Sequence, residues 1–408
     1  MSTDTPTRAE EVTPDTPLAA LNLNWREKDL PENQRTRHVH RLHPYLGKYI
    51  PQLVEIFLRK YFAPGQIVVD PFCGSGTTLV QANELGINAV GYDISAFNVL
   101  LCRAKTMPYN IEQARHEVLS ILEKVRTQLP TLAAEAAKPQ AAPEQRSLWQ
   151  VATADLFLSE ADVAYLQTWF APQTLGELLA YRRLIETQYE YQDLLKVILS
   201  RSARSARLTT HFDLDFPKQP QTEPYYCYKH SRECRPTTEA FKFLERYSLD
   251  TLKRIEQFAA IRTEANCEVY HADSRIAAVG QMDGVLTSPP YVGLIDYHDQ
   301  HAYAYHLLGL DDRRAAEIGP AAGGSSFKAK QQYQQEIADV FGRLLQAMPV
   351  GGRMIVVAAD QADLYPEIAE MVGVEAEAVV QRHVNRRTGR RANEFYESVF
   401  VWRKHGTR

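Results

Sequence analysis

The apolar run Ile67-Val68-Val69 stops at Asp70 and opens into Pro71-Phe72-Cys73-Gly74-Ser75-Gly76, after which Thr77-Thr78-Leu79-Val80-Gln81-Ala82 has helical spacing. Strand, Gly-rich turn and helix in that order build one unit of an open α/β sheet, with a turn that lets a ligand approach the backbone. No Lys follows the second Gly, so nothing there would reach a β- or γ-phosphate, and no third Gly completes a dinucleotide fingerprint. A second short strand, Asn88-Ala89-Val90-Gly91-Tyr92-Asp93, ends in a carboxylate able to accept both ribose hydroxyls of an adenosine-bearing ligand. A third, Cys267-Glu268-Val269-Tyr270-His271-Ala272, ends at Asp273, placed to accept from an adenine amino group. Each acid alone also reads as a helix cap or turn residue. The set of three strand-end acids points to a pocket.

Far downstream, the strand-like Asp283-Gly284-Val285-Leu286 runs into Thr287-Ser288-Pro289-Pro290-Tyr291. An exocyclic amine on a nucleobase is a poor nucleophile, because its lone pair is delocalised into the ring. A rigid turn can draw that nitrogen toward tetrahedral geometry by aiming two acceptors, the Ser288 hydroxyl and the Pro289 carbonyl, at the amino hydrogens. Pro289 and Pro290 fix φ and remove competing donors, and Tyr291 offers a face on which an extruded base can stack. Alone, the tetrapeptide also reads as an ordinary turn closing a strand.

In combination these blocks resemble the S-adenosylmethionine-dependent amino-DNA methyltransferases, the cytosine-N4 and adenine-N6 group. Residues 70–78 match that family's Asp-Pro-Phe-x-Gly-Ser-Gly-Thr-Thr cofactor loop, and residues 288–291 match its Ser/Asp/Asn-Pro-Pro-Tyr catalytic turn. His43-Pro44-Tyr45-Leu46-Gly47-Lys48-Tyr49-Ile50-Pro51 is similar to the segment around the methionine end of the cofactor, and Asn393–Trp402 to the closing hairpin. The resemblance implies S-adenosylmethionine as cofactor, held by Tyr45, Lys48, Asp70, Phe72, Cys73, Gly74, Ser75, Gly76, Thr77, Asp93, Ile94 and Asp273. It implies catalysis by Ser288, Pro289, Pro290 and Tyr291 on base-flipped double-stranded DNA. Ser in the first position suggests cytosine-N4, with adenine-N6 of DNA, an RNA amine, or a non-catalytic DNA-binding subunit as the alternatives. Carbon-5 methylation needs a covalent Cys nucleophile, which in the carbon-5 family directly follows a Pro, and none of the cysteines at 73, 102, 227, 234 and 267 follows one.

The implied fold is α/β: a Rossmann-like class I methyltransferase sheet, mostly parallel with an antiparallel edge hairpin, plus a largely helical insertion. A chain of 408 residues is long for this domain alone. The expected organisation is a disordered Thr/Pro/Glu-rich stretch over 1–24, a catalytic domain over 25–110 and 265–408, and an insertion over 111–264 as candidate target-recognition region. Within the insertion, helical patterns run over Ile111–Leu129, 160–170, 175–200 and 238–262, and the Pro-, Tyr- and His-rich 208–236 reads as an extended loop. Asp296–His301 reads equally as pocket lining or as a helix start. The net charge of −4 leaves phosphate contact to local clusters. These are Arg201, Arg204 and Arg207, and the run 381–391 with Arg382, Arg386, Arg387, Arg390 and Arg391, each of which also reads as a solvated face. Without a Cys-x-x-Cys pair, no metal site is expected. With neither a signal peptide nor a long apolar span, the cytoplasm is the expected compartment and no membrane is implied. Any restriction endonuclease or defence partner would be a separate chain.

Overall fold

A computed structural model describes residues 5–47, 49–136, 156, 158–293, 296–320, 324, 326–384 and 395–406. Its strands are β1 (Ile67–Asp70), β2 (Asn88–Asp93), β3 (Tyr225–Cys227), β4 (Arg232–Cys234), β5 (Cys267–His271), β6 (Gly284–Thr287), β7 (Arg353–Ala358), β8 (Glu375–Val384) and β9 (Phe395–Arg403). β3 and β4 pair only with each other, and the other seven form one sheet in the order β5-β2-β1-β6-β7-β9-β8. The first five run parallel, while β9 lies antiparallel between β7 and β8. This is the expected Rossmann-like class I sheet with its antiparallel edge pair.

Burial explains the composition of the strands. β6 and nearly all of β1 and β7 are covered on both faces, and they read as unbroken apolar runs. Edge strand β8 instead mixes exposed and half-buried positions, with only Arg382 and Val384 buried. Gly284 opens β6 because a Cβ there would lie 2.5 Å from the Arg353 carbonyl oxygen. Strand order reverses between β1 and β6, so a crevice opens beyond their carboxyl ends, where Asp70 and Thr287 stand.

The insertion is helical, as expected, with helices Ile111–Ala136, Glu160–Trp169, Pro172–Gln188, Gln192–Ala206 and Phe241–Ala259. The single 175–200 pattern breaks in two. The Glu117 carboxylate accepts the Glu190 and Tyr191 amides at 3.3 and 2.9 Å and so stabilises the interruption. The 208–236 loop is not wholly irregular, because it contains the β3–β4 hairpin. Nor is the insertion a free lobe. Ile121, Leu178, Ile198 and Leu252 share one apolar cluster with Phe97 and Leu101 of the Ala96–Thr106 helix and with Tyr303.

The disorder expected for 1–24 is corrected over the described residues 5–24. Ala9, Val12 and Leu23 are buried in the cluster that holds Leu53 and Phe57 of the Pro51–Tyr61 helix. Lys60 Nζ donates to the carbonyls of Pro14 and Thr16 at 3.0 and 2.6 Å. Thr and Pro content disguised a segment in which Ala9, Val12 and Leu23, with Leu18 and Leu21 packed beside them, reach the same apolar cluster.

The first arginine cluster is also corrected. Arg201 pairs with Asp250 at 2.6 Å and lies over the Tyr247 ring, and Arg204 pairs with Asp215 at 2.5 Å. Arg207 is 3% exposed, donates to the Leu214 carbonyl at 2.5 Å and packs over the Tyr303 ring. Asp215 and Asp250 lie outside the acid-free run, so the sequence read as a free basic face what the fold uses as internal braces. Arg382 is likewise buried against Glu397 at 2.9 Å. Arg386, Arg387, Arg390, Arg391 and Lys48 lie outside the described residues.

Replacing Arg207 with Ala strands a buried carbonyl and removes packing, and it should cost about 2 kcal/mol of unfolding free energy in urea titrations. The salt slope of DNA binding should not change. A slope shallower by about 1 would return Arg207 to phosphate contact.

Candidate active site

Asp70 does not line the crevice but sits beneath it. Its carboxylate, fully buried, accepts from Tyr49 Oη at 3.2 Å, Thr78 Oγ1 at 2.5 Å, Thr287 Oγ1 at 2.6 Å and the Phe72 amide at 3.2 Å. Burial pushes this carboxyl up, and the hydrogen bonds from Thr287, Thr78, Phe72 and Tyr49 oppose it. Expected as a cofactor ligand, Asp70 instead clamps the loop after β1 to the strand that carries Ser288.

Above it opens a cleft of about 850 Å³, counting its open mouth. Its walls include Tyr45, Phe72, Cys73, Gly74, Ser75, Thr77, Asp93, Ile94, Asp273, Ser288 and Pro290. Residues from three distant sequence blocks therefore meet around one space. The loop is shaped by Gly74 and Gly76, with φ of +49° and +77°. A Cβ on Gly76 would lie 2.9 Å from Cys102 Sγ, and one on Gly74 would lie 3.2 Å from Tyr45 Oη. The amides of the loop run into the N-terminus of the Thr77–Glu84 helix, a favourable end for a carboxylate. Lys105, fully buried, donates to the Ser75 carbonyl at 2.5 Å and holds the loop from behind, and burial brings its ammonium down to about 8.

A cofactor fit can be tested on polar atoms. Ser75 Oγ is buried at the cleft wall without a hydrogen-bond partner among the described residues, so an amino-acid-like ligand end would satisfy it. Asp93, ending β2, accepts the Gly74 amide at 2.8 Å on one oxygen, and the Ser95 amide at 2.9 Å and Asn98 Nδ2 at 3.0 Å on the other. A carboxylate has about four acceptor sites, which leaves room for a hydroxyl. Burial pushes Asp93 up to about 6 against those bonds. Asp273 differs from expectation. Burial raises its carboxyl, but Arg275 outweighs this through both oxygens, at 2.7 to 3.1 Å, and holds it below the usual range. An adenine amine would have to share Asp273 with that guanidinium.

The Ser288–Tyr291 turn leaves β6 at the cleft edge, with Ser288 half-buried and Pro289 buried. Tyr333 donates to the Pro290 carbonyl at 2.9 Å and lies 2.8 Å from the Tyr365 hydroxyl, so the turn is braced from the Phe327–Ala347 helix. Tyr291 packs on the apolar cluster that contains Tyr333 and Val285. Both readings of Asp296–His301 hold: Asp296 caps the Tyr297–Gln300 helix, and Tyr297 lines the cleft, stacked on Tyr45.

Asn98, Ser95, Tyr49 and Glu317 also line the cleft, though the sequence reading did not single them out as cofactor residues. Asn98 had a legible signal. Ser95 caps the Ala96–Thr106 helix by accepting the Asn98 amide, a Ser-x-x-Asn variant of the capping pattern directly after Asp93. Glu317 had none, because it reaches the cleft from a loop and is held there by a bond to His298.

Residues 18–101 match the model of a family described as DNA methylase, the N6/N4 methyltransferases. The chain is 36% identical over 430 aligned positions to the Type II methyltransferase M.MjaII of Methanocaldococcus jannaschii, covering 91% of this chain and 81% of that one. It is 23% identical to the Type II methyltransferase M.BsoBI of Geobacillus stearothermophilus, over 74% of this chain and 58% of the other. Among solved structures, the rRNA methyltransferase AviRa of Streptomyces viridochromogenes is similar at 12% identity and a TM-score of 0.34, over 93% of this chain and 96% of that one.

Between about pH 4, where a free Asp titrates, and about 6, the folded protein keeps a proton on Asp93 that the unfolded chain has lost. The contribution of this group to stability therefore falls as pH rises through that window and is level above it. For ligand binding the carboxylate is the useful form, so affinity for S-adenosylmethionine should weaken as pH drops below about 6. Calorimetric titration of Asp93→Asn should give weaker binding without that pH dependence. An unchanged pH profile would remove Asp93 from the ribose site.

Proposed function

The chain belongs to the amino-methylating DNA methylases, and from that premise we propose that it methylates the N4 amine of cytosine in duplex DNA, within a target sequence. The observation that supports this reading is the meeting of a Ser-first turn, Ser288–Tyr291, with the Gly74–Thr77 loop across one cleft. The methyl donor of the family is S-adenosylmethionine. When bound, it supplies an electrophilic methyl group on a sulfonium leaving group.

The residues of the chain divide the remaining work. In this reading the Gly74–Thr77 loop and Ser75 Oγ take the amino-acid end of the donor, Asp93 its ribose, and Asp273, shared with Arg275, its adenine, a division supported by Gly74, Ser75, Thr77, Asp93 and Asp273 all lining one cleft. The Ser288 hydroxyl and Pro289 carbonyl accept the amino hydrogens of the flipped base and turn its lone pair toward the methyl group. Rigidity matters here, because the acceptors must hold their aim without reorganising. The Tyr333 bond to the Pro290 carbonyl and the two prolines supply it. Flipping costs a few kcal/mol, offset in part by stacking on Tyr291. A separate endonuclease of matching specificity is the proposed genetic partner. Among the described residues, no helix is long and apolar enough to cross a membrane.

Incubating the protein with tritiated S-adenosylmethionine and unmethylated DNA, with total RNA in parallel, should label N4-methylcytosine from DNA after digestion to nucleosides. Label in N6-methyladenine would overturn the base assignment, and label in RNA alone would overturn the substrate. Stacking on an aromatic ring is worth about 1–3 kcal/mol per base, so Tyr291→Ala should slow methylation by about tenfold to a hundredfold while leaving donor affinity within about twofold. Equal loss of rate and donor binding would remove Tyr291 from the base site.

A further inference from the structure

We propose that His211, Cys227, His230 and Cys234 form a structural zinc site that fixes the 208–236 segment of the insertion. One ligand-capable atom from each of these residues lies within 4.8 Å of those of the other three. Cys227 Sγ is 3.6 Å from Nδ1 of both His211 and His230, and Cys234 Sγ is 3.5 Å from Nδ1 of His230. Tetrahedral zinc, with bonds of about 2.3 Å to sulfur and about 2.05 Å to nitrogen, sets a sulfur-to-nitrogen edge of about 3.5–3.6 Å. The observed separations are those of a ligand shell. Two thiolates and two imidazoles are the donor set of closed, four-coordinate zinc sites.

The local fold gives an independent reason for a metal. Strands β3 and β4 have three residues each and pair only with each other, and an isolated hairpin of that size is marginal in water. Apolar burial does not hold it, because Tyr226 and Tyr228 are 56% and 80% exposed. Cys227 from the end of β3 and Cys234 from the end of β4 are both buried, and the exposed His230, from the turn between them, lays its Nδ1 against both sulfurs. His211 arrives from the preceding loop. Its amide donates to Tyr225 Oη at 3.0 Å, and that hydroxyl also lies 2.9 Å from His211 Nδ1, which keeps the ring beside the hairpin until a metal takes the nitrogen. A metal would thus cross-link loop, strand, turn and strand, supplying the folding energy that apolar contacts do not.

The sequence expectation of no metal rested on the absence of Cys-x-x-Cys. The relevant spacing is Cys227-x-x-His230-x-x-x-Cys234, with His211 upstream, which a search for paired cysteines passes over. The proposal does not depend on which base is methylated.

The test is metal analysis of the full-length, tag-free chain after passage over chelating resin. Mass spectrometry of the metals should find about one zinc per chain, released by a mercurial reagent and detected with a zinc-binding dye. Cys227→Ser and His230→Ala should each lose the zinc, while Cys267→Ser, outside the cluster, keeps it. Amides of 208–236 should then exchange hydrogen faster, with S-adenosylmethionine affinity within about twofold of the parent. If the variants fail to fold, stripping the parent chain and restoring zinc should reverse the exchange change. Metal-free protein with free thiols, a Cys227–Cys234 disulfide seen as a two-proton mass loss, or zinc retained by Cys227→Ser would each overturn the proposal.

Discussion

The buried carboxylate of Asp70 is the interaction on which the site depends. It receives Thr78 from the helix after the Gly-rich loop, Thr287 from the strand that delivers Ser288, and Tyr49 from the segment before the Pro51–Tyr61 helix. Three sequence blocks are thereby joined through one side chain, and the farthest donor, Thr287, lies 217 positions from Asp70. A buried acceptor left without its donors costs about 1–3 kcal/mol, so the arrangement resists any drift of loop against turn. Methyl transfer needs that resistance, because donor and acceptor pockets stand on different strands and an error of about 1 Å between them would be expensive. The Ser274 hydroxyl, donating to the Pro71 carbonyl at 2.6 Å, extends the same frame to the end of β5.

Beside the Gly-rich loop, the cleft-lining Tyr45 and Tyr297 are backed by an aromatic stack that is kept uncharged. Tyr45 stacks on Tyr297 and on His301, and His301 on Phe97. Burial, reinforced by Arg204 and Arg207, holds the His301 imidazole at about 3, and burial with the neighbouring His301 keeps His43 well below its ordinary value. Both rings are neutral at physiological pH. Imidazolium charge would repel a sulfonium-bearing donor, whereas neutral aromatic faces attract a cation. Arg204 and Arg207, both from the insertion, thus reach the His301 ring through their charge, and Arg207 also packs over the Tyr303 ring.

Much of this was legible in the sequence, and the failures have a common cause. Strand-end positions such as Asp93 and Asp273 and the Gly74–Gly76 turn follow from local pattern, because periodicity and turn chemistry are short-range, whereas the mostly parallel sheet with its antiparallel edge pair was what the family resemblance implied. Misreadings arose wherever a partner sits far along the chain. Arg201 and Arg204 looked free because Asp250 and Asp215 were not in view, and Asp70 looked like a ligand because its donors include Tyr49 and Thr287. Residues 5–24 looked unstructured because the groove that buries Ala9 and Leu23 is formed by a later helix. Arg275 and its hold on Asp273 are the exception. Two positions apart, the pair was visible, and only the geometry of the fork was not.

Charge accounting then limits how DNA can be held. The chain is net negative, and Arg201, Arg204, Arg207 and Arg382 are each engaged by internal partners. Within the described part of the insertion, the β3–β4 hairpin keeps Lys229, Arg232 and Arg235 exposed beside Tyr226 and Tyr228. Zinc held by two thiolates is electrically neutral, so the proposed site would order this lobe without cancelling its basic charge. Aromatic and basic side chains on a rigid support suit contact with an opened duplex better than a mobile loop would, because the ordering entropy has been lost before binding. Metal site and target recognition would then be consequences of one constraint: a lobe too small for an apolar core has to be ordered by something else.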